Sequence, residues 1–503
     1  MLTRVRGIAK KIQKVATFSN LKELFFGERS TEKGRAFKNF AWLFTSNFAS
    51  RFIRAAMVIY AARVLGAEGY GIFSYVLGLA GFFTFFKNVG VDSILTREVA
   101  KHPEKQHNYF STAFWIEVVL VLITIFLVIF VAPLFSKINA AISLLPFAAL
   151  ILAFDDFRDF FFGFFRGKER MELEAIVTIV VNISLVFFGF FALYYFKTPL
   201  AFIISYVLAS ALSTVVGFIL LRPFVGNVVR NFEKGLVKPI LMSSLPIAIN
   251  GLAGMFLFSI DMVVLGWWRT PYEIGLYSAA QKVVGILILF SSLVATTTFP
   301  ILSRLIHSDI KKAEKVFEEA VRVIFLVGIP LMLGGIVLST QLMNLIFGSA
   351  YLGAAPAFSI LLLSILGMHP MTMFIQLVLA FDKQAKIVWY VVTASVSNAL
   401  LSFLLVPRFG IGGAAVSIVI TSFIYIGLLW RFAKTLLHFE IVPKLGKMVV
   451  SALAMGVVAF ILNWFGVYVL WNIVISGLFY FALLYVLRED SLEQVLSIVR
   501  ART

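Results

Sequence analysis

Cysteine is absent from the 503 residues, which excludes disulfides, thiol catalysis and cysteine-based metal sites together. Histidine is scarce: the five present (His102, His107, His307, His369 and His438) are scattered, and none stands in an HExxH pairing, so metal chemistry is not expected. Charge is scarce too, at 14% of the chain, against roughly a quarter in soluble globular proteins. No GxxxxGK[ST] run occurs, so ATP hydrolysis is not expected, and Gly66, Gly69 and Gly71 lack the dinucleotide-binding spacing. No polar segment is long enough to fold as a soluble enzyme domain. The chain therefore reads as a non-enzyme without cofactors.

What is abundant is apolar surface. Apolar residues make up 60% of the sequence, mean hydropathy is +0.95, and phenylalanine alone contributes 54 residues. One water-soluble core cannot hide that much, so lipid must cover it. The net charge of +18 would suggest nucleic acid in a soluble protein. In a membrane protein, Lys and Arg first mark cytoplasmic loops, and no nucleic-acid partner is expected. Residues 1–37 lack the apolar core of a secretory signal. Instead Leu2, Val5, Ile8, Ile12 and Val15 recur at helical spacing among Arg4, Arg6, Lys10, Lys11 and Lys14, a basic amphipathic helix suited to an anionic leaflet.

Runs of about 20 apolar residues mark membrane crossings. They fall near 38–64, 70–96, 111–135, 143–165, 174–196 and 199–221, then 239–267, 274–301, 319–347, 354–381, 386–407 and 411–433, with two more near 446–466 and 468–487. The predicted fold is all-α and polytopic, with about fourteen transmembrane helices. Placing both termini in the cytoplasm puts 35 of the 44 Lys and Arg on the inner side, against Arg63, Lys137, Lys197, Arg269 and Arg408 outside. Val64-Leu65-Gly66 and Gly71-Ile72-Phe73-Ser74 recur as Val264-Leu265-Gly266 and Gly275-Leu276-Tyr277-Ser278. Six crossings separate the copies, so the repeat is parallel. The expected division is an amphipathic segment (1–37), an N-lobe of six helices (38–222), a cytoplasmic linker (223–238), a C-lobe of six (239–433), two extra helices (434–487) and a cytoplasmic tail (488–503).

A charge at the bilayer centre costs roughly 2.5–3.5 kcal/mol and so faces a cavity or a partner. Asn47, Ser50 and Arg51 share a face of helix one that Arg54 extends, and the two arginines lie about 20–24 Å from residue 38. Lys87, Asn88 and Asp92 sit in helix two, Asn250 and Asp261 in helix seven, Gln281 and Lys282 in helix eight. These four helices are equivalent in the repeat. If they line one shared cavity, it is polar and predominantly cationic, suited to an anionic or sugar-rich ligand. Glu117 reads as interfacial, and Asp155, Asp156, Arg158 and Asp159 as a mutually paired structural cluster that Arg166 or Lys168 joins. Helices nine to fourteen carry essentially no interior charge. Asn182-Ile183-Ser184 matches a glycosylation sequon but lies within a helix, out of reach of modification.

The run Asn47-Phe48-Ala49-Ser50-Arg51, then Ala61 to Gly66, Gly69 to Tyr75, Asn88-Val89-Gly90-Val91-Asp92 and Arg97-Glu98 resembles the opening of polysaccharide and oligosaccharide flippases of the multidrug/oligosaccharidyl-lipid/polysaccharide exporter superfamily. Pro407-Arg408-Phe409-Gly410-Ile411-Gly412-Gly413-Ala414-Ala415 resembles their loop before helix twelve. The resemblance implies two lobes around a central cavity and alternating access. It also implies movement of a polyprenyl-diphosphate-linked oligosaccharide to the outer leaflet of the cell membrane, for cell-surface polysaccharide synthesis. Arg51 and Arg54 then match the diphosphate-binding arginines, and the last two helices a groove for the lipid tail. H+, Na+ or the membrane potential is the expected driving force, with Asp92 and Asp261 as coupling candidates. Membrane lipids and a glycan polymerase or glycosyltransferases are the further expected partners. A multidrug/cation antiporter, a lipid II flippase and a non-transporting envelope scaffold are the alternatives.

Overall fold

A computed structural model describes residues 32–84, 90–490 and 492, without side-chain detail before Ser50 or at several positions between 246 and 258. Residues 1–31 of the expected amphipathic segment, Lys87 and Asn88, and the side chains of Asn47 and Asn250 lie outside that description. All described secondary structure is helical.

Helix α1, Glu32–Phe82, has 51 residues, about 75 Å if straight and more than two bilayer cores of roughly 30 Å. It is not straight. Gly66 sits at φ 68°, ψ 177°, a conformation glycine adopts without steric cost, and the chain turns where the loop between the first two crossings is expected. The second crossing differs from the expected continuous run. α1 ends at Phe82, and α2, Val91–Lys101, restarts after Gly90, whose φ is 87°. Then follow α3 (Gln106–Phe126), a single turn α4 (Asn139–Ile142), α5 (Leu145–Gly167), α6 (Met171–Tyr195) and α7 (Pro199–Leu221). The second half of the chain begins with α8 (Lys234–Trp268), α9 (Pro271–Leu287), α10 (Leu289–Ser308), α11 (Ile310–Val337) and α12 (Ser339–Phe347). α9 opens on a capping box of Thr270 and Glu273. After α13 (Ala355–Leu363) and α14 (Ile365–Ala380) comes α15, Gln384–Ala433, which folds back at Gly410 (φ 61°). The fold-back is so tight that a Cβ on Gly413 would lie 2.6 Å from the Leu405 carbonyl carbon. α16 (Gly446–Trp464) and α17 (Val469–Val486) close the chain.

Nine helical spans among the described residues are long and apolar enough to cross a membrane, ten if the pair bent by 42° between α13 and α14 is one. The protein is a multi-pass membrane protein. The expected fourteen is not reached on that criterion. α15 counts once although it is bent back, the two crossings merged in α1 likewise count once, α5 is kept out by Asp155, Asp156, Arg158, Asp159 and Arg166, and α8 enters only as the short apolar stretch Ser259–Trp268.

The buried core shows how the two halves of the chain meet. One continuous cluster gathers Ala61, Tyr75 and Leu145 with Leu265, Tyr277, Tyr351 and Val406. Towards the opposite ends of the helices it divides. One cluster, from Val91 to Ile240, is confined to the first half and the start of α8; another, from Leu257 to Ile441, belongs to the second. The halves thus share one core at the Gly66 end, and at the other end their cores are separate, with only the first part of α8 crossing to the first half.

The joint depends on glycine. A Cβ on Gly71 would lie 2.8 Å from the Gly275 nitrogen and well inside contact with Pro271 O; one on Gly275 would lie 3.1 Å from the Gly71 nitrogen and collide with Ala67 O. The contact is reciprocal, because Ala67 and Pro271 are separated by the same 204 residues as Gly71 and Gly275. Around it Trp267 Nε1 donates to Phe135 O at 2.7 Å, Tyr351 OH to Ala62 O at 2.8 Å, and Arg63 Nε to Ile346 O at 2.8 Å.

One charge contradicts the sequence reading: Glu117, expected at the interface, is buried. Arg322, which the sequence reading did not single out, is buried in α11 and pairs with Glu489 at 2.6 Å. The first residues of the expected tail are therefore packed.

Candidate functional site

Below the joint lies a cavity of about 1280 Å³ between α1, α7, α8 and α9. Arg51, Arg54 and Lys282 line it, all three exposed to its space. They come from the two halves of the chain, and among the described residues no carboxylate stands in the same wall and none of the three has an ion-pair partner. The remaining wall is mainly aromatic and aliphatic, with Tyr70, Phe73, Tyr206 and Leu289, relieved by Ser74, Ser278 and Gln281.

Helical spacing puts Ser50 and Arg54 on one face of α1, and α6 fixes that face. Arg54 Nε donates to Asn182 Oδ1 at 3.0 Å, while Asn182 Nδ2 donates to Ser50 Oγ at 2.7 Å and to Thr178 O at 2.5 Å. Arg54 is thereby held in the cavity rather than reaching for the membrane surface. Asn182, which the sequence marks only as an unusable sequon, is the positioning residue. Its signal was an amide in the middle of an apolar helix. Asn182→Leu removes the acceptor of Arg54 Nε, a cost of about 1–3 kcal/mol. Its thermal unfolding midpoint in detergent should fall below wild type; an unchanged midpoint refutes the tether.

Asp261 does not line the cavity. It is fully buried behind it, where Tyr277 OH and Gln281 Nε2 donate to Oδ2 at 2.6 and 3.1 Å. Gln281 connects this carboxylate to the cavity wall. Asp92 also stands apart from the central cavity, in a neighbouring recess that shares Arg51 and Arg54 with it. The structure therefore brings Arg51, Arg54, Gln281 and Lys282 to one cavity, and places Asp261 behind it and Asp92 beside it. Both predicted acids leave the cationic wall. The α5 cluster pairs internally as expected: Arg158 contacts Asp155 at 2.5 Å and Asp159 at 3.3 Å. Arg166 joins Glu174 instead, through two hydrogen bonds of 2.8 and 2.6 Å.

A profile of the polysaccharide biosynthesis protein family matches residues 36–306. The capsular polysaccharide biosynthesis protein CapF of Staphylococcus aureus is 24% identical over 403 residues, covering 77% of this chain and 96% of that protein. The probable flippase AglR of Haloferax volcanii is 23% identical over 447 residues, 84% of this chain and 88% of its own. The lipid II flippase MurJ in its inward closed conformation matches with a TM-score of 0.70 at 17% identity, over 89% of this chain and 98% of that one. This likeness establishes a shared transporter fold. The matched stretch exceeds half of the sequence and runs from α1 through the cavity-lining α9, and the chain belongs to the polysaccharide biosynthesis protein family.

Proposed function

We propose that the protein moves a polyprenyl-diphosphate-linked oligosaccharide from the cytoplasmic to the outer leaflet by alternating access between two six-helix lobes, with both termini in the cytoplasm. One observation carries the reading: Arg51, Arg54 and Lys282, from the two halves of the chain, meet at one central cavity in whose described lining no carboxylate stands. Cations held at membrane depth are costly unless a ligand completes them. A diphosphate supplies that charge, and guanidinium forks match phosphate oxygens in pairs. The Lys and Arg asymmetry supports the orientation. The flippase name given to the Haloferax relative supports the transport class. A cation antiporter would need acids where this wall has none.

Coupling is proposed to run through Asp261, which Gln281 ties to the cavity wall, with H+ or Na+ as the driving ion, or through the membrane potential acting on the lipid's charge. Leaflet accessibility of a polyprenyl-diphosphate glycan in proteoliposomes tests the reading. Arg51→Ala/Arg54→Ala should slow flipping by about tenfold or more, since each charge-assisted contact is worth roughly 1.5–3 kcal/mol. A double variant as fast as wild type sinks the diphosphate site. Imposing H+ and Na+ gradients in turn on the same liposomes separates the couplings; indifference to both leaves Asp261 with a structural role.

A further inference from the structure

Arg51 and Arg54 border two spaces. Beyond the central cavity, a recess of about 920 Å³ runs into the first half of the chain between α1, α2, α5 and α6. Its chemistry is unlike that of the central cavity. Deeper than the two arginines, its charged groups are Asp92, Arg158, Asp159, Arg166 and Glu174, with the Thr178 hydroxyl among them. Arg158 is already paired with Asp155 and Asp159, and Arg166 with Glu174. The deep wall is therefore close to charge-balanced, and it presents guanidinium donors and carboxylate acceptors side by side.

The wall is also stiff. Thr96 Oγ1 donates to Gly163 O at 2.8 Å, and a Cβ on Gly163 would lie 2.6 Å from Asp92 O, so α2 and α5 meet backbone to backbone beside Asp92. A further anion would meet three carboxylates. A cation would meet guanidiniums already committed to acids, and a hydrocarbon chain would strip the wall of water without replacing its hydrogen bonds. A densely hydroxylated, uncharged group fits. Each hydroxyl can donate to a carboxylate and accept from a guanidinium or Thr178 without breaking the ion pairs.

We infer that this recess is the subsite for the sugar joined directly to the diphosphate, and that it selects neutral sugars over uronic acids. The inference rests on the diphosphate reading, because Arg51 and Arg54 at its mouth are what would place that sugar at the entrance. The sign of the preference follows from the wall: a uronate adds a negative charge opposite Asp92, Asp159 and Glu174.

The test uses the full chain in lipid nanodiscs and three probes: a bare polyprenyl diphosphate, the same lipid carrying one N-acetylhexosamine, and the same lipid carrying one hexuronic acid. Wild type should bind the N-acetylhexosamine lipid about tenfold more tightly than the bare lipid, and the uronate lipid more weakly than the neutral one. Asp92→Asn and Thr178→Val, which leave every ion pair named above in place, should each cut the affinity advantage of the neutral-sugar lipid over the bare lipid several-fold. The bare lipid doubles as the folding control. An advantage that is the same in wild type and both variants, or a uronate lipid that binds as tightly as the neutral one, overturns the inference. Arg51→Ala/Arg54→Ala reports separately: undiminished bare-lipid binding there overturns the diphosphate reading, whatever the sugar ratio.

Discussion

Gly71→Leu should stop the two halves of the chain from closing at the Gly66 end. Leucine at this position has no room, because even a Cβ would overlap Pro271 O and crowd the Gly275 nitrogen. Both neighbours are backbone and cannot rotate away. Overpacking a fitted contact typically costs 1–3 kcal/mol, and more when main chain must shift. Only the joined state bears that cost, so about 1.4 kcal/mol already moves the ratio of closed to open tenfold. The chain lacks cysteine, which makes the measurement direct. Ser74 lines the central cavity, and Ser74→Cys would be the sole thiol. A membrane-impermeant maleimide applied from the proposed outer side should label it slowly in the parent and several-fold faster with Gly71→Leu. Gly81→Ala, where an added Cβ meets nothing within 4 Å, is the control and should not change labelling. Equal labelling in all three would mean that the glycine contact does not hold the joint.

That joint also marks how far the sequence could be read. The paired glycine motifs are visible as a repeat, and Gly66 and Gly410 turn the chain where breaks between apolar runs are expected. Arg51, Arg54, Gln281 and Lys282 stand out because a charge or amide in an apolar run is costly. What remained illegible concerns partners distant along the chain. Arg54 meets Asn182 across 128 residues and Arg322 meets Glu489 across 167. Helical periodicity tells which residues share a face, and nothing about which face of which other helix they will meet. The same blindness placed Asp261 in the cavity. Asp261 is instead held by Tyr277 and Gln281 of the next helix, and of these Gln281 lines the cavity in its place. The end of α1 at Phe82 was missed because Phe83, Phe85 and Phe86 carry the apolar run onward in the sequence.

Removing the Glu489 carboxylate should produce the largest loss of stability of any single change considered. Glu489 and Arg322 are both buried, and Glu489 Oε2 also accepts the Leu492 backbone N–H at 3.0 Å. Breaking such a pair leaves an uncompensated buried cation, typically at 3–5 kcal/mol. Asp490, 3.6 Å from the same guanidinium but largely exposed, softens this towards the lower end. The pair stands beside the apolar seam where Leu326 and Ile329 of α11 pack on Met448 and Met455 of α16 and Tyr480 and Leu484 of α17. Tyr480 OH closes that seam on Leu326 O at 2.9 Å. Glu489→Ala should therefore lower the unfolding midpoint in detergent and expose the residues after α17 to protease first. Arg322→Met/Glu489→Leu should recover most of the loss, because Arg322 Nε has no partner among the described residues even in the intact pair and hydrophobic replacement of a buried pair is often neutral or stabilising. If the double variant is no more stable than Glu489→Ala, the ion pair is contributing more than the burial of its own charges. An unchanged midpoint in Glu489→Ala itself would show that α16 and α17 are held by the apolar seam alone.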